Sequence, residues 1–264
     1  MEAILQAIVL GIVQGLTEFL PISSSGHLEL ARFYLDMGDN AQDNLFMTVA
    51  LHAATALSTV LVFRKEVGIL LQALFRLSWN EETRFVRNIV VSMIPAGLVG
   101  LLLEEQISAL FDRQIPLVSL MLMLTGVLLF WADRARQNNR PVGLSQAWWI
   151  GIAQAIAIIP GISRSGATIG TALLLGVDRE RAARFSFLMV VPLILGKMLL
   201  DILDGDVSNH SIGWMPLVAG FAAAFLTGVL ACVWMIRLVR RSKLWVFALY
   251  CVGIASLSLF VYYS

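Results

Sequence analysis

Two stretches of this 264-residue chain carry the same motif. In each, an apolar helical pattern runs into a proline and then into Ile-Ser-x-Ser-Gly, where x is Ser24 in the first copy and Arg164 in the second. The copies span 11–27 and 151–166, and the second has an additional glycine after its proline. A repeated polar interruption in an apolar chain indicates two related halves, with a site where the interruptions meet.

The composition indicates a membrane protein. Hydrophobic residues make up 58% and charged residues 14% of the chain, with a mean hydropathy of +0.80. Soluble domains have roughly 45–50% apolar and about 25% charged residues. Six apolar stretches approach the roughly 20 residues that a helix needs to cross the hydrocarbon core. They lie near residues 45–63, 86–103, 115–132, 184–203, 213–236 and 244–262.

The distribution of charge predicts the orientation of these spans. Basic residues in short loops mark the cytoplasmic side. Most of the 19 Lys and Arg fall on one side of the six spans, whereas the other side is mainly acidic. Segment 147–176 has basic loops on both sides, and its apolar halves are too short for the roughly 30 Å core. It is therefore predicted to enter from the cytoplasm, turn at 160–166 and return.

The motif repeat predicts the remaining topology. If each half is one hairpin plus three spans, the odd number of crossings inverts the second half relative to the first. The first hairpin then enters from outside, and both termini lie outside. The predicted fold is all-α: a polytopic membrane protein with six transmembrane helices and two re-entrant helical hairpins in an inverted-topology repeat. Residues 1–264 form one integral-membrane domain, with repeats 1–135 and 145–264.

Candidate site residues cluster at the first predicted hairpin tip. Gln14 and Glu18 are four residues apart and share a helix face. A carboxylate in a membrane helix is costly and indicates a functional site, although a structural hydrogen bond between helices is the alternative. Further polar residues follow directly: Ser23, Ser24, Ser25 and His27. One of these serines is expected to cap the helix of the second arm.

Arg164 is the most informative residue of the second tip. A guanidinium near the membrane midplane needs an anionic partner, either Glu18 or a bound oxyanion, and its planar fork suits phosphate. The alternative is a purely structural salt bridge to Glu18. The neighbouring polar or small residues are Ser163, Ser165, Gly166 and Thr168. Together with a helix N-terminus, they predict a phosphate-binding cradle.

Other polar residues in the apolar stretches favour structural roles. His52 is interpreted as a hydrogen-bonding residue between helices. Lys197 and Asp201 are four residues apart and are expected to form a pair near the outer end of a span.

Together the two motifs resemble the undecaprenyl-pyrophosphate phosphatases, also called bacitracin-resistance proteins. The resemblance rests on Gln14 to His27, on Pro160 to Thr168, and on the length and the order of the spans. It implies a membrane enzyme that removes the terminal phosphate of the C55 isoprenoid diphosphate, so that the monophosphate carrier is reused for cell-wall precursors. The acidic motif of this family accepts Glu or Gln at its first position, and this chain has Gln14.

This resemblance gives each motif residue an expected role. Arg164 clamps the diphosphate with help from Ser163, Ser165, Gly166 and Thr168, while Gln14, Ser23 and Ser25 also contact the substrate. Ser24 is the expected nucleophile, forming a phosphoserine, and His27 takes its proton. Glu18 orients His27 or holds a divalent cation, Mg²⁺ or Ca²⁺. An alternative assignment makes His27 the nucleophile and Ser24 a phosphate ligand.

A secondary transporter is the rival hypothesis. Inverted repeats whose broken helices meet at the midplane also occur in carriers, which could move a lipid phosphate or a small anion through the same cradle. A carrier, however, does not need a nucleophile beside a base.

The expected partners are an isoprenoid diphosphate lipid and the bilayer, and no nucleic acid is expected to bind. The sequence leaves open whether the protein forms a homodimer. The expected location is the bacterial inner membrane, with the site open to the outer side.

Overall fold

Helices form all the regular elements of the described residues, as the apolar composition predicts. The computed structural model describes residues 1–35, 41–76, 79–103, 106–107, 110, 114–136, 138, 140–203, 212–240 and 243–264. The helices are α1 Glu2–Phe19, α2 Ser24–Tyr34, α3 Ala41–Val62, α4 Arg64–Arg76, α5 Glu81–Leu102, α6 Ile115–Asp133, α7 Leu144–Ile156, α8 Arg164–Leu174, α9 Arg179–Leu203, α10 Trp214–Arg240 and α11 Leu244–Tyr263. Residues 36–40 and 204–211 lie outside the described residues, as do the side chains of the predicted pair, Lys197 and Asp201.

Seven of these helices are long and apolar enough to cross a membrane. Six of them, namely α3, α5, α6, α9, α10 and α11, coincide with the six apolar stretches of the sequence. The seventh is α1, the first arm of the first predicted hairpin. The prediction of an all-α polytopic membrane protein is therefore confirmed. That the first hairpin, α1 with α2, enters from outside and returns there stays a prediction.

Two helical hairpins carry the repeated motif. The first joins α1 to α2, and the second joins α7 to α8. Helices α7 and α8 have 13 and 11 residues. At 1.5 Å per residue each is too short for the roughly 30 Å core. The second arms begin at Ser23 and Ser163, whose hydroxyls accept from the backbone N–H of Gly26 at 3.2 Å and of Gly166 at 3.0 Å. This is N-capping, which satisfies an otherwise unpaired donor.

The first arm of each hairpin packs along a long helix of the other half. Helix α1 lies against α10, and α7 lies against α5. Gly15 makes the first contact close, because a Cβ atom there would lie only 2.8 Å from the backbone nitrogen of Gly228. Gly151 has the same role in the second contact, where a Cβ would lie 3.0 Å from Ser92 Cα. Small residues let helices approach closely in membranes, where van der Waals packing drives their association.

The interior that supports the hairpins is aromatic and aliphatic. Phe19, at the end of α1, packs edge-on against Phe187 of α9, with ring centroids 5.8 Å apart. Both side chains are almost fully buried. Large apolar side chains such as Leu98, Leu120 and Leu226 are instead more than half exposed on the helix surfaces. In a bilayer, these faces contact lipid.

Candidate active site

The two hairpin tips are in direct contact. Ser165 of the second tip donates from its hydroxyl to the backbone carbonyl of Leu20 in the first, at 3.1 Å. Gly166 lies against Pro21, since a Cβ atom on this glycine would be 3.3 Å from Pro21 Cβ. The structure therefore brings the two copies of the motif together, although they are far apart in the chain.

Each tip turns through one residue with a left-handed backbone. In the first tip this residue is Ser23, with φ of 69°, and in the second it is Gly161, with φ of 97°. The additional glycine of the second motif is thus explained: any side chain at Gly161 would be strained and would run into Val118. A non-glycine residue at positive φ is unusual and is often found at functional turns.

Glu18 is the centre of the polar contacts between the tips. Arg164 donates from Nη2 to Glu18 Oε1. Ser24 Oγ donates to Glu18 Oε2 at 2.6 Å, and Gln14 Nε2 donates to the same oxygen at 3.0 Å. His52 Nε2 lies 3.9 Å from it. The Glu18 side chain is only 6% exposed, so the structure buries this carboxylate among groups that neutralise or solvate it.

His27 faces a different set of partners. Its Nδ1 atom lies 2.8 Å from the Ser23 carbonyl oxygen, and its Nε2 atom lies 3.0 Å from the Tyr250 hydroxyl. Because the carbonyl only accepts, Nδ1 carries a proton, and in the neutral imidazole Nε2 accepts from Tyr250. His27 was the expected acceptor of the Ser24 proton, but the bonds of the described residues do not include one between these two side chains. The structure pairs the Ser24 hydroxyl with Glu18 instead.

Three of the predicted phosphate-binding hydroxyls are buried and already bonded within the protein. Ser163 caps α8, and Ser165 holds the first tip as described above. Thr168 Oγ1 donates to the Arg164 carbonyl at 2.8 Å and lies 2.7 Å from the Ser186 hydroxyl. These side chains therefore position the second tip and the backbone of Arg164. Ser24, His27 and Arg164 are only partly buried, which leaves them accessible to a ligand.

Four residues at the site were not predicted as site residues. They are His52, Thr55, Ser186 and Tyr250, which contact Glu18, Gln14, Thr168 and His27 respectively. For two of them a signal exists, because Thr48, His52, Thr55 and Thr59 recur at spacings of four and three along α3 and share one helix face. Ser186 and Tyr250 have no comparable pattern around them.

Comparison with known proteins shows the family of this chain. The family model described as Bacitracin resistance protein BacA matches residues 7–257. The chain belongs to this family. It is 54% identical over 256 residues to a protein of Christiangramia forsetii named undecaprenyl-diphosphatase, covering 96% of this chain and 97% of the relative. Proteins with the same name from Bacteroides thetaiotaomicron and Bacteroides fragilis are 44% and 43% identical, covering 97% and 96% of this chain and 98% and 96% of the relatives.

The predicted site for a divalent cation can be tested on the side chains that the structure places at the two tips. Among the described residues, no group of three or more His, Cys, Asp or Glu lies close enough to hold a metal ion. Glu18 is the carboxylate at the tips, and both its oxygens are engaged by Arg164, Ser24 and Gln14. Mg²⁺ and Ca²⁺ bind through several oxygen ligands, usually including available carboxylates. The residues therefore do not fit a divalent cation held by the protein alone.

Proposed function

We propose that this protein hydrolyses undecaprenyl diphosphate to undecaprenyl phosphate and inorganic phosphate, which returns the lipid carrier to cell-wall synthesis. The names of its relatives support this reaction and the lipid substrate. The observation that carries the proposal is the convergence of the Ser24 hydroxyl and the Arg164 guanidinium on one buried carboxylate, Glu18. The candidate nucleophile and the phosphate-binding cation thus each lie within hydrogen-bond reach of the candidate base.

Arg164 binds the diphosphate in this mechanism. Phosphoryl transfer depends mostly on positioning and on neutralising charge. The guanidinium has five donors in a fixed plane, so it can keep a contact to Glu18 while it donates to phosphate oxygens. Thr168 fixes the backbone of Arg164 through its carbonyl, and Ser165 fixes the second tip against the Leu20 carbonyl of the first. The substrate-binding roles of Gln14, Ser23 and Ser25 are indirect in this mechanism, through Glu18 and the turn of the first tip.

Ser24 is the nucleophile. Its oxygen attacks the terminal phosphorus as its proton passes to Glu18, and the bond from that phosphorus to the bridging oxygen breaks. Undecaprenyl phosphate leaves with the bridging oxygen and its electron pair, and Ser24 carries the phosphoryl group. A water molecule then attacks the phosphoserine, Glu18 returns its proton to the serine oxygen, and inorganic phosphate leaves.

His27 serves the second step. In the neutral tautomer its Nε2 accepts from the Tyr250 hydroxyl, which orients the ring. The attacking water displaces this hydroxyl at Nε2 and gives its proton to His27, which then releases the proton to solvent. The alternative that the sequence leaves open, with His27 as the nucleophile and Ser24 as a phosphate ligand, is chemically distinct. A phosphohistidine is labile to acid, whereas a phosphoserine survives it.

An inverted arrangement of the two halves completes the proposal. The exchange of packing partners, α1 on α10 and α7 on α5, supports it, because a two-fold axis between the halves interchanges these pairs. The chain then lies in the bacterial inner membrane with both termini outside and the site open to the outer side. A homodimer stays a prediction, which sedimentation of the detergent-solubilised protein tests.

The experiment is single-turnover hydrolysis, by the purified full chain, of an isoprenyl diphosphate that carries ³²P in its terminal phosphate. We expect phosphate release by the wild type and at least about 100-fold slower release by Ser24→Ala. Acid quenching should leave label on the Ser24 peptide. Label that is lost in acid but survives base, and that disappears in His27→Gln, would reassign the nucleophile. Absence of any phosphate release by folded wild type would reject the proposed reaction.

A further inference from the structure

An apolar groove lies beside the second tip, between α5 and the end of α7. Its volume is about 720 Å³, within the range of ligand-binding cavities in proteins. The lining side chains are aliphatic apart from Gln106 and Trp148. Leu98 of α5 and Ile156 of α7 are each more than half exposed, so the groove opens sideways towards the lipid. It therefore suits a hydrocarbon chain and not a polar ligand.

The shortness of α7 leaves the space for this groove. Asn88 of α5 donates to the carbonyl of Val142, before α7, at 2.8 Å, and Ser92 lies against Gly151 further along, so the two helices run in the same direction. At 1.5 Å per residue, the 13 residues of α7 extend about 20 Å and the 22 residues of α5 extend about 33 Å. The last part of α5, up to Leu102, therefore has no α7 beside it.

The groove adjoins the turn that carries Arg164. Ile159, in the wall of the groove, accepts at its backbone carbonyl from the N–H of Ile162 at 3.1 Å. Ile162 directly precedes Ser163, the N-cap of α8, and Arg164 is the first residue of that helix. One hydrogen-bonded turn thus joins the wall of the groove to the side chain that is proposed to bind phosphate.

We infer that this groove receives the isoprenyl chain of the substrate, beginning with the units closest to the diphosphate. The inference rests on the proposed function, because it takes the headgroup to lie at Arg164. A chain attached to that headgroup has a high effective concentration at the groove. This attachment and the fit of the chain provide the selectivity, since an apolar chain gains little when it moves from lipid to an apolar wall.

An acyl chain of an ordinary phospholipid is the competing occupant, because it is equally apolar. Its headgroup, however, stays at the membrane surface, on the order of 15 Å from the midplane of a bilayer whose core is roughly 30 Å thick. The second tip is predicted to turn near that midplane. A lipid whose headgroup binds at the tip therefore matches the position of the groove better than a lipid whose headgroup lies at the surface.

The first test maps the chain on the purified wild type in lipid nanodiscs. The probe is a C15 isoprenyl methylenediphosphonate, which cannot be hydrolysed, with a photoreactive diazirine in its second isoprene unit. We expect label on α5 after Ser92 or on the end of α7, and an excess of the same compound without the diazirine should remove it. Label that is confined to other helices would overturn the inference. Label in the groove that the competitor leaves unchanged would also overturn it, because membrane hydrocarbon in general would then fill the groove.

The second test fills the groove. Ala155→Trp places an indole at a lining position, where it takes the space of the chain. Overpacking of this kind should raise the Kd of the C15 diphosphonate at least about tenfold. The Kd of methylenediphosphonate without a chain should change less than about twofold, since the tip is untouched. Ala222→Trp is the matched control, because Ala222 is exposed on α10 and does not line this groove, and it should leave both Kd values unchanged.

Two results of the second test would contradict the inference. An unchanged Kd of the C15 compound in Ala155→Trp would place the chain elsewhere, and equal weakening of both diphosphonates would mean that the variant acts on the tip. If Ala155→Trp fails to fold, the crosslinking of the wild type still decides the question. Neither measurement involves turnover, so a protein that holds the chain in the groove but releases no phosphate rejects the proposed function alone.

Discussion

Partly buried Arg164 and buried Glu18 form an ion pair between residues that are 146 positions apart in the chain. Arg164 also donates to the Ser186 carbonyl at 3.3 Å, which ties the second tip to α9. A buried charge is tolerated only with a partner, so each residue keeps the other ionised and in place. The pair joins the two halves of the protein at the point where phosphate is proposed to bind.

Arg164→Lys separates the charge of this residue from its geometry. We expect kcat/KM for phosphate release to fall by about 100-fold or more in Arg164→Ala and by less in Arg164→Lys, since lysine keeps the charge but lacks the planar fork. Steady-state kinetics with an isoprenyl diphosphate measures both. Equal activity of Arg164→Lys and the wild type would contradict a role for the planar guanidinium in binding phosphate.

Loss of the ion pair should also lower stability, which a second measurement separates from catalysis. Arg164→Ala leaves the buried Glu18 without its cationic partner, and the loss of stability should approach the about 3–5 kcal/mol that removing one partner costs a fully buried pair. The double variant Arg164→Ala with Glu18→Gln removes both charges, so its apparent Tm should lie above that of Arg164→Ala alone. Both should remain inactive. A double variant less stable than the single one would refute this account of the pair.

Tyr250→Phe tests the orientation of His27. Removing the hydroxyl that lies 3.0 Å from Nε2 should lower kcat roughly three- to tenfold with little change in KM, because a net hydrogen bond contributes about 0.5–1.5 kcal/mol. Tyr34→Phe is the matched control, since the Tyr34 hydroxyl donates to the Ser258 carbonyl at 2.8 Å on the same helix, α11. It should keep wild-type kcat. Equal losses in both variants would indicate a merely structural role for Tyr250.

The sequence is sufficient to predict the membrane class, the six apolar spans and the residues of the tips. These features are predictable because hydropathy, helix length and the repeated motif are local properties. The contact of Ser24 with Glu18 instead of His27 is not local. It joins the end of α1 to the start of α2 across a turn in which Ser23 has a left-handed backbone, a conformation that the residue type does not predict. Likewise, Tyr250 reaches His27 only through the packing of α11, and no sequence pattern encodes this distance.

Gly15→Ala tests the close approach of α1 and α10. The added methyl group would lie 2.8 Å from the Gly228 backbone nitrogen, so the helices must separate, and overpacking of this kind typically costs about 1–3 kcal/mol. Gly253→Ala is the control, because a Cβ atom there meets nothing within 4 Å and alanine is the better helix former. In detergent, apparent Tm should fall for the first variant and stay or rise for the second. Unchanged Tm in Gly15→Ala would mean that the two helices do not need this glycine.

Single cysteines read by a membrane-impermeant maleimide in intact cells decide whether the first hairpin returns to the outer side. The native Cys232 and Cys251 are fully buried and should not react. Ser264→Cys, after α11, should label from outside, and Arg136→Cys, between α6 and α7, should label only after lysis. Glu2→Cys is decisive, because the inverted repeat places it outside, whereas an α1 that crosses the bilayer places it in the cytoplasm. Glu2→Cys that stays unlabelled while Ser264→Cys reacts would therefore make α1 a seventh transmembrane helix and exclude the inverted arrangement of the halves.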